Sequence, residues 1–335
     1  MAAELRRYAT APGAPPELRA AAAVELARLA DATDDNGRHL APSADPSTWW
    51  GVRELTSLPE QLAPGRSVRL SPSQVTGILT CPRRYFLARE ARGEGEPGLA
   101  AALGSLIHLL VQQAVTEGWG LAELRERLNQ VWHRLKFEAA WLSATERVEV
   151  ELGLARFLAW REATSADLVG VEVPFTLELT VDDLTVSLDG KVDWLERTSG
   201  GLRVVDFKTS RTPPTRAAIA GMEQLGIYQL AVASGGFAGL EPDTGTAGAA
   251  AVYLRLAGRP EDLPKEFDQA SLTSTPYLYA DPDEERYPTW VHQRVALAAG
   301  VVAEGSYPAT PGPHCRTCPF ANSCPASGRG GQVLR

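Results

Sequence analysis

Through residues 1–31 apolar side chains recur at three- and four-residue spacing, most clearly in PELRAAAAVELARLADA, and that period predicts helix. Over residues 32–68 the period is lost and Pro, Gly, Ser and Asp become frequent, so the stretch reads as a connector. Its one conspicuous apolar feature, ADPSTWWG, supplies two tryptophans that read as packing anchors rather than a stacking platform. A sharper element begins at Ser71. In SPSQVTGILTCPRRYFLARE, Ser71 is placed to cap a helix, Pro72 suits its first position and Gln74 completes a capping box. Pro82 predicts a break or a fresh helical start near Cys81. Helical periodicity returns at about 99–117, 121–139 and 143–163.

The period then shortens to two. VEVPFTLELTV (171–181), LTVSLDGKVDWLE (184–196) and LRVVDFK (202–208) are strand-like, with β-branched residues between Gly- or Asp-rich turns. Residues 215–233 predict a helix, and AAAVYLRLA (249–257) one more strand. A Pro- and acid-rich loop (258–288) and a helix (about 289–304) lead into a cysteine-rich tail. The order helix, three strands, helix, strand predicts an α/β layer with a mixed sheet. No GxxxxGK[ST] phosphate loop and no internal repeat occur, so an ATP motor is not expected in this chain.

Composition narrows the class without naming a reaction. A chain of 335 residues, 44% hydrophobic and 22% charged, has room for one large domain or for a domain with a helical appendage. The apolar runs fall short of a membrane span and the N-terminus lacks a signal-peptide pattern, so a cytoplasmic location without membrane partners is expected. A net charge of −8 argues against gripping nucleic acid over the whole surface, and leaves room for a local basic track. The cysteines change the picture more. Cys81 stands alone, and Cys315, Cys318 and Cys324 crowd the tail as HCRTCPFANSC. In a reducing compartment such clustering points to metal, either zinc or an iron–sulfur cluster, rather than to disulfides.

GKVDWLERTSGGLRVVDFKTS (190–210) carries the candidate chemistry. Pairing its strands about the TSGG turn (198–201) sets Asp193 opposite Asp206, and Lys208, two residues on, points the same way. Two carboxylates about 5 Å apart repel by roughly 3 kcal/mol at an effective dielectric of 20. Lys208 offsets part of that repulsion, and a hard divalent cation such as Mg²⁺ offsets more. On spacing alone two readings stand side by side: a metal-binding face, and a solvated strand face with an Asp–Lys ion pair. His108, in an apolar helix, reads either as a core histidine or as a ligand. Gln224 and Tyr228, one turn apart, read either as packing or as a site. Asp189 is a turn or strand-end residue or an outer carboxylate, and His314 beside Cys315 is similarly open.

Asp-x12-Asp-x-Lys on a hairpin followed by a helix resembles the PD-(D/E)xK nuclease superfamily, and more narrowly its RecB-like family. That family has a Gly-x-x-x-His helix upstream, matched by GSLIH ending at His108. It also has a Gln-x-x-x-Tyr helix downstream, matched by QLGIY from Gln224 to Tyr228. The resemblance implies a restriction-endonuclease-like core, a mixed central sheet flanked by helices, with added N-terminal helices and a cluster-binding C-terminal tail. It implies His108, Asp193, Asp206 and the Phe207 carbonyl as ligands of Mg²⁺ or Mn²⁺. Asp193 and Asp206 would be catalytic together with Lys208, with Gln224 and Tyr228 near the substrate phosphate or the attacking water.

One cysteine before the core and three after it resemble the nuclease module of AddB/Adn-type helicase–nuclease subunits of actinobacteria. There such a set holds a [4Fe–4S] cluster, so the resemblance implies Cys81, Cys315, Cys318 and Cys324 as its ligands, with zinc as the alternative occupant. It divides the chain into a helical segment and connector (1–68) and a nuclease domain with a cluster staple (69–335). The implied activity is a metal-dependent deoxyribonuclease, an exonuclease acting on single-stranded DNA or DNA ends, in double-strand-break repair beside a UvrD-like helicase. Arg83 and Arg84, with Arg89 and Arg92 close by, read either as a solvated helix face or as contacts to the DNA backbone. The alternative function is a non-catalytic DNA-end-binding or scaffold module.

Overall fold

Pro15 and Pro16 divide the N-terminal helical pattern into α1 (Ala2–Thr10) and α2 (Pro16–Asp31), the second beginning with Pro16 in its first turn. The computed structural model describes residues 1–11, 13–49, 67–95, 98–240, 245–256, 262–278 and 286–327. It divides into two units: residues 1–60 with 311–335, and residues 61–310. In the smaller unit Trp49 is the packing anchor expected of it. It is buried with Leu26 and Ala44, its Nε1 donates to the Ser43 carbonyl (2.9 Å), and Arg6 lies over its ring. Residues 50–66 of the expected connector, including Trp50, lie outside the described residues.

The larger unit runs β1 (Ser67–Leu70), α3 (Pro72–Thr80), α4 (Pro82–Tyr85), a π turn (Phe86–Glu90), α5 (Leu99–Thr116), α6 (Leu121–Trp132) and α7 (Ala140–Ala163). The strands β2 (Asp167–Val181), β3 (Leu184–Thr198) and β4 (Gly201–Lys208) follow. Then come α8 (Arg216–Ala220), α9 (Glu223–Ala233), β5 (Thr246–Tyr253), β6 (Lys265–Gln269) and α10 (Trp290–Glu304). The capping box closes both ways: the Ser71 N–H donates to Gln74 Oε1 (2.7 Å), and the Gln74 N–H to Ser71 Oγ (3.3 Å).

β3 organises the sheet. β2 covers one of its edges along the whole length, antiparallel. Its other edge is shared: β1 runs parallel to Thr185–Leu188, and β4 runs antiparallel to Trp194–Thr198. β4 then pairs parallel with β5, and β5 antiparallel with β6, making the expected mixed sheet. The β3–β4 turn needs glycine at Gly201, where φ is +116° and an added Cβ would stand 1.9 Å from the Gly245 carbonyl oxygen.

Alternate sheet residues feed two cores. Val204, Ala249 and Ala251 pack with α3, α9 and α10, whereas Val205, Ala250 and Val252 pack with α5, α6 and α7. On the second face the rings of Phe157, Trp160, Trp194 and Phe207 meet edge to face, with centroids 5.2–6.3 Å apart apart from the flatter Phe157–Trp160 pair. Holding Phe207 there commits Asp206 and Lys208, its neighbours on β4, to the opposite face.

Four elements differ from expectation. β1 is too short for its alternation to register in the sequence. α6 stops at Trp132 although the apolar pattern runs on, because Phe137 folds back to stack on the Trp132 ring (5.1 Å). Gly221 separates α8 from α9 within the single helix expected at 215–233. β6 lies in the expected loop; its charged KEFDQ looks unlike a strand, yet Glu266 and Asp268 are held by Arg203 of β4, and charge suits an edge strand. By length and composition alone α5 is apolar enough to cross a membrane, contrary to the reading that no run is. In the fold Leu103, Ile107, Leu110, Val111 and Ala114 pack into the core on the α7 side.

Candidate active site

The site forms where β1 and β4 part along the shared edge of β3. The β3–β4 register holds from Thr198↔Gly201 to Trp194↔Val205, one step short of Asp193 and Asp206. Beyond that step the Asp193 carboxylate takes over from the backbone: its Oδ2 accepts the Phe207 N–H at 2.7 Å. Its Oδ1 lies 3.3 Å from Nδ1 of His108 on α5. α5 comes this near because Gly104, one turn before His108, faces Thr209 just past β4; a Cβ there would stand 3.2 Å from Thr209 Oγ1. The loop after Lys208 is also tethered, through an Arg211–Glu146 ion pair to α7.

Asp206 is 3% exposed, and its Oδ2 has no hydrogen-bond partner among the described residues. Lys208 Nζ stands 2.7 Å from that oxygen, an ion-pair distance without hydrogen-bond alignment. Burial raises the Asp206 carboxyl to about 6, Lys208 opposing the rise and Asp193 adding to it. Burial alone would pull the His108 imidazole down, but the Asp193 hydrogen bond and the charges of Asp193, Asp206 and Glu172 hold it above its ordinary value.

A relay extends from Lys208 to α9. Lys208 Nζ donates to Gln224 Oε1 (2.7 Å), and Gln224 Nε2 donates to the Tyr228 hydroxyl oxygen (2.8 Å). Lysine is a donor only, so the amide orientation is fixed, and the Tyr228 O–H keeps its own proton to donate elsewhere. Burial, and then the Asp206 charge, push the Tyr228 phenol well above its usual range against the Gln224 hydrogen bond. That proton is therefore available for donation at neutral pH.

One residue escaped the sequence reading. Glu172 of β2 stands between the pairs Val171↔Trp194 and Val173↔Val192, and so faces Asp193 from the other side. Its φ of +50° marks a local break in β2, and its carboxyl is raised by burial and by the charge of Asp193. Ligand atoms of His108, Glu172 and Asp193 all lie within 4.8 Å of one another. Applying to the β2–β3 hairpin the register logic used for Asp206 would have found it. Glu172→Gln is expected to weaken Mn²⁺ binding by about 10–100-fold, the scale on which metal sites lose affinity when a supporting carboxylate goes; titration calorimetry giving an unchanged affinity would remove Glu172 from the site.

The donor set fits a hard divalent cation. It joins carboxylates and an imidazole with a buried carboxylate oxygen that lacks a hydrogen bond. Of the residues expected here, His108, Asp193, Asp206, Lys208, Gln224 and Tyr228 come together, and Phe207 joins through its N–H. Asp189 does not: it sits inside β3 rather than at a turn or strand end, held by Thr176, Ser187 and Arg69. All four cysteines are free thiols. Cys81 is buried at the α3–α4 junction of the larger unit. Cys315, Cys318 and Cys324 belong to the smaller unit, where Cys315 Sγ accepts the Gly312 N–H at 3.4 Å. Arg84 faces an open groove beside α3, whereas Arg83 does not line it; the Arg83 backbone N–H donates to the Pro308 carbonyl (3.1 Å).

A family model described as the PD-(D/E)XK nuclease superfamily matches residues 69–325. No curated protein matches the chain. Among solved structures, the crystal structure of SSO0001 aligns with 78% of this chain and 86% of its own, at 16% identity and a TM-score of 0.38.

Proposed function

The chain belongs to the PD-(D/E)XK nuclease superfamily, which indicates a metal-dependent nuclease, and from that premise we propose a deoxyribonuclease acting on single-stranded DNA or DNA ends. The observation that carries the reading is the buried Asp206 carboxylate, its Oδ2 met by the Lys208 ammonium at 2.7 Å, beside the His108–Glu172–Asp193 cluster. A solvated strand face would leave no such group buried. His108, Glu172, Asp193 and Asp206, with the Phe207 carbonyl, would hold Mg²⁺ or Mn²⁺. The chemistry such an ion supplies is Lewis-acid polarisation of a phosphoryl oxygen.

The protein's own groups account for the rest. In phosphodiester hydrolysis a water oxygen bonds to phosphorus and the P–O bond to the departing sugar oxygen breaks. Lys208, aimed by Gln224, sets a positive charge where negative charge grows on the phosphoryl oxygens. Tyr228, its phenol kept neutral, offers a hydrogen bond to a phosphate oxygen. A non-catalytic scaffold would have no use for this relay. The test is degradation of a labelled single strand by purified protein: activity is expected with Mg²⁺ or Mn²⁺, lost in EDTA, restored by metal, and absent in Asp206→Ala. Cleavage that persists in EDTA or in Asp206→Ala would end the reading.

The cysteines are proposed to hold a structural [4Fe–4S] cluster through Cys81, Cys315, Cys318 and Cys324. The support is the Cys-x2-Cys-x5-Cys spacing, the free thiols and the resemblance to helicase–nuclease modules. Iron and acid-labile sulfide near four each per chain are expected after anaerobic purification, and stoichiometric zinc without iron would refute the assignment. A helicase partner and a role in double-strand-break repair in the cytoplasm follow from the same resemblance, as does the exonuclease mode.

A further inference from the structure

A groove of about 270 Å³ separates one face of α3 from the segment formed by α4 and the π turn. Gln74 and Thr76 line it from α3, Arg84 and Arg89 from the facing wall, and Gly77 with Ala88 keeps the space between them open. Glu94 is the only acidic residue in the lining. Neither arginine has an ion-pair or hydrogen-bond partner among the described residues. Gln74 spends its carbonyl oxygen on the Ser71 N–H (2.7 Å), which leaves its amide hydrogens as donors. The groove therefore offers two guanidinium groups and an amide to an anion.

The backbone between the arginines departs from a regular α-helix. In a regular α-helix residues five apart stand about 140° apart around the axis, so Arg84 and Arg89 would face different ways. The π turn over Phe86–Glu90, with the Ala91 N–H bonded to the Phe86 carbonyl at 2.9 Å, turns less per residue than an α-helix, and both arginines line the groove. Such turns are rare and recur at functional positions. The segment is braced, since the Tyr307 ring packs against Phe86 at 4.9 Å and the Tyr85 hydroxyl donates to Glu90.

α3 touches the site as well as the groove. Pro72, at its start, packs over Gly190, three residues before Asp193. The Thr76 hydroxyl lies 3.5 Å from the carboxylate of Glu223, the residue before Gln224. We propose that this groove binds the sugar–phosphate backbone of a single nucleic-acid strand beside the cluster, Arg84 and Arg89 each neutralising one phosphate. The assignment rests on the nuclease reading for the identity of the polyanion. A duplex, which carries its two backbones on the outside of a wide cylinder, does not enter a space of this size. Tyr85, the aromatic residue in the lining, is buried with its hydroxyl held by Glu90, so the contact reads phosphate and not sequence.

The test is fluorescence anisotropy of a labelled oligo-dT across a salt series, in an Asp206→Asn background so that the strand survives. Arg84→Ala with Arg89→Ala is expected to lower affinity about tenfold and to flatten the log–log salt slope by about 1.4, the value for two phosphate contacts on a single strand. Arg84→Lys with Arg89→Lys keeps the slope, which separates lost charge from misfolding. Binding of a duplex with both ends closed by hairpin loops is expected to change less than twofold. An unchanged slope in the alanine variant, or an equal loss on the duplex, overturns the proposal. Because the readout is binding, a wild-type protein that fails to cut but shows the slope change refutes only the nuclease reading. One that cuts without the slope change refutes only the groove.

Discussion

In EDTA at pH 8, Asp206→Asn is expected to be more stable than the wild type by about 3 kcal/mol, and inactive. The Asp206 carboxyl titrates at about 6 in the folded chain against an ordinary value of 3.8, chiefly because it is buried, with Asp193 adding to the rise and Lys208 opposing it. A displacement of about two pH units, each worth about 1.4 kcal/mol, sets the size of the effect. Its sign follows from proton counting. Below about pH 4 the carboxyl is protonated folded and unfolded alike, and its burial costs nothing extra. Between about pH 4 and 6 the folded state holds the proton that the unfolded chain releases, so wild-type stability falls as pH rises and stays lower above pH 6. The asparagine has no such proton, so its advantage should be full at pH 8 and absent at pH 4. Saturating Mg²⁺ should restore the wild type selectively. Urea denaturation with EDTA at the two pH values measures both, and equal stabilities at pH 8 would show that Asp206 carries no electrostatic burden.

Lys208→Ala is expected to lower kcat for phosphodiester cleavage by about 10²–10³-fold while Mn²⁺ still binds. Loss of one preorganised donor to a developing oxyanion is of that order. Lys208 lies among the liganding carboxylates without being a ligand, so metal affinity and turnover should separate. Gln224→Ala should act in the same direction more weakly, because it frees the ammonium without removing it. A Lys208→Ala variant that cuts at wild-type rate, or one that loses metal and activity together, would place the catalytic charge elsewhere.

Most of the constellation was legible from spacing. The TSGG turn made the pairing of Asp193 with Asp206 a matter of counting, and the register is the counted one up to Trp194↔Val205. GSLIH and QLGIY pointed to His108, Gln224 and Tyr228 through resemblance, and all three reach the cluster. Glu172 was not recognised, because VEVPF alternates as a plain strand should and nothing in that pattern sets its acid apart. β6 was hidden for the opposite reason: KEFDQ carries the charge of a loop, and only Arg203 reaching Glu266 and Asp268 explains its place at the sheet edge.

By itself the chain's order of residues determined what depends on near neighbours. It set the capping box at Ser71, the turn that needs Gly201, the hairpin register and the alternation that drives Phe207 into one core and Asp206 away from it. Only the tertiary structure decided that β1 and β4 share one edge of β3 and then diverge. That fork leaves the Asp193 carboxylate to take the Phe207 N–H, gathers Glu172 and His108 around it, and keeps Asp206 out of water. The physical reason is range. Caps, turns and pleats are settled within a few residues of backbone, whereas the solvation of a carboxylate depends on which distant helices and strands close over it.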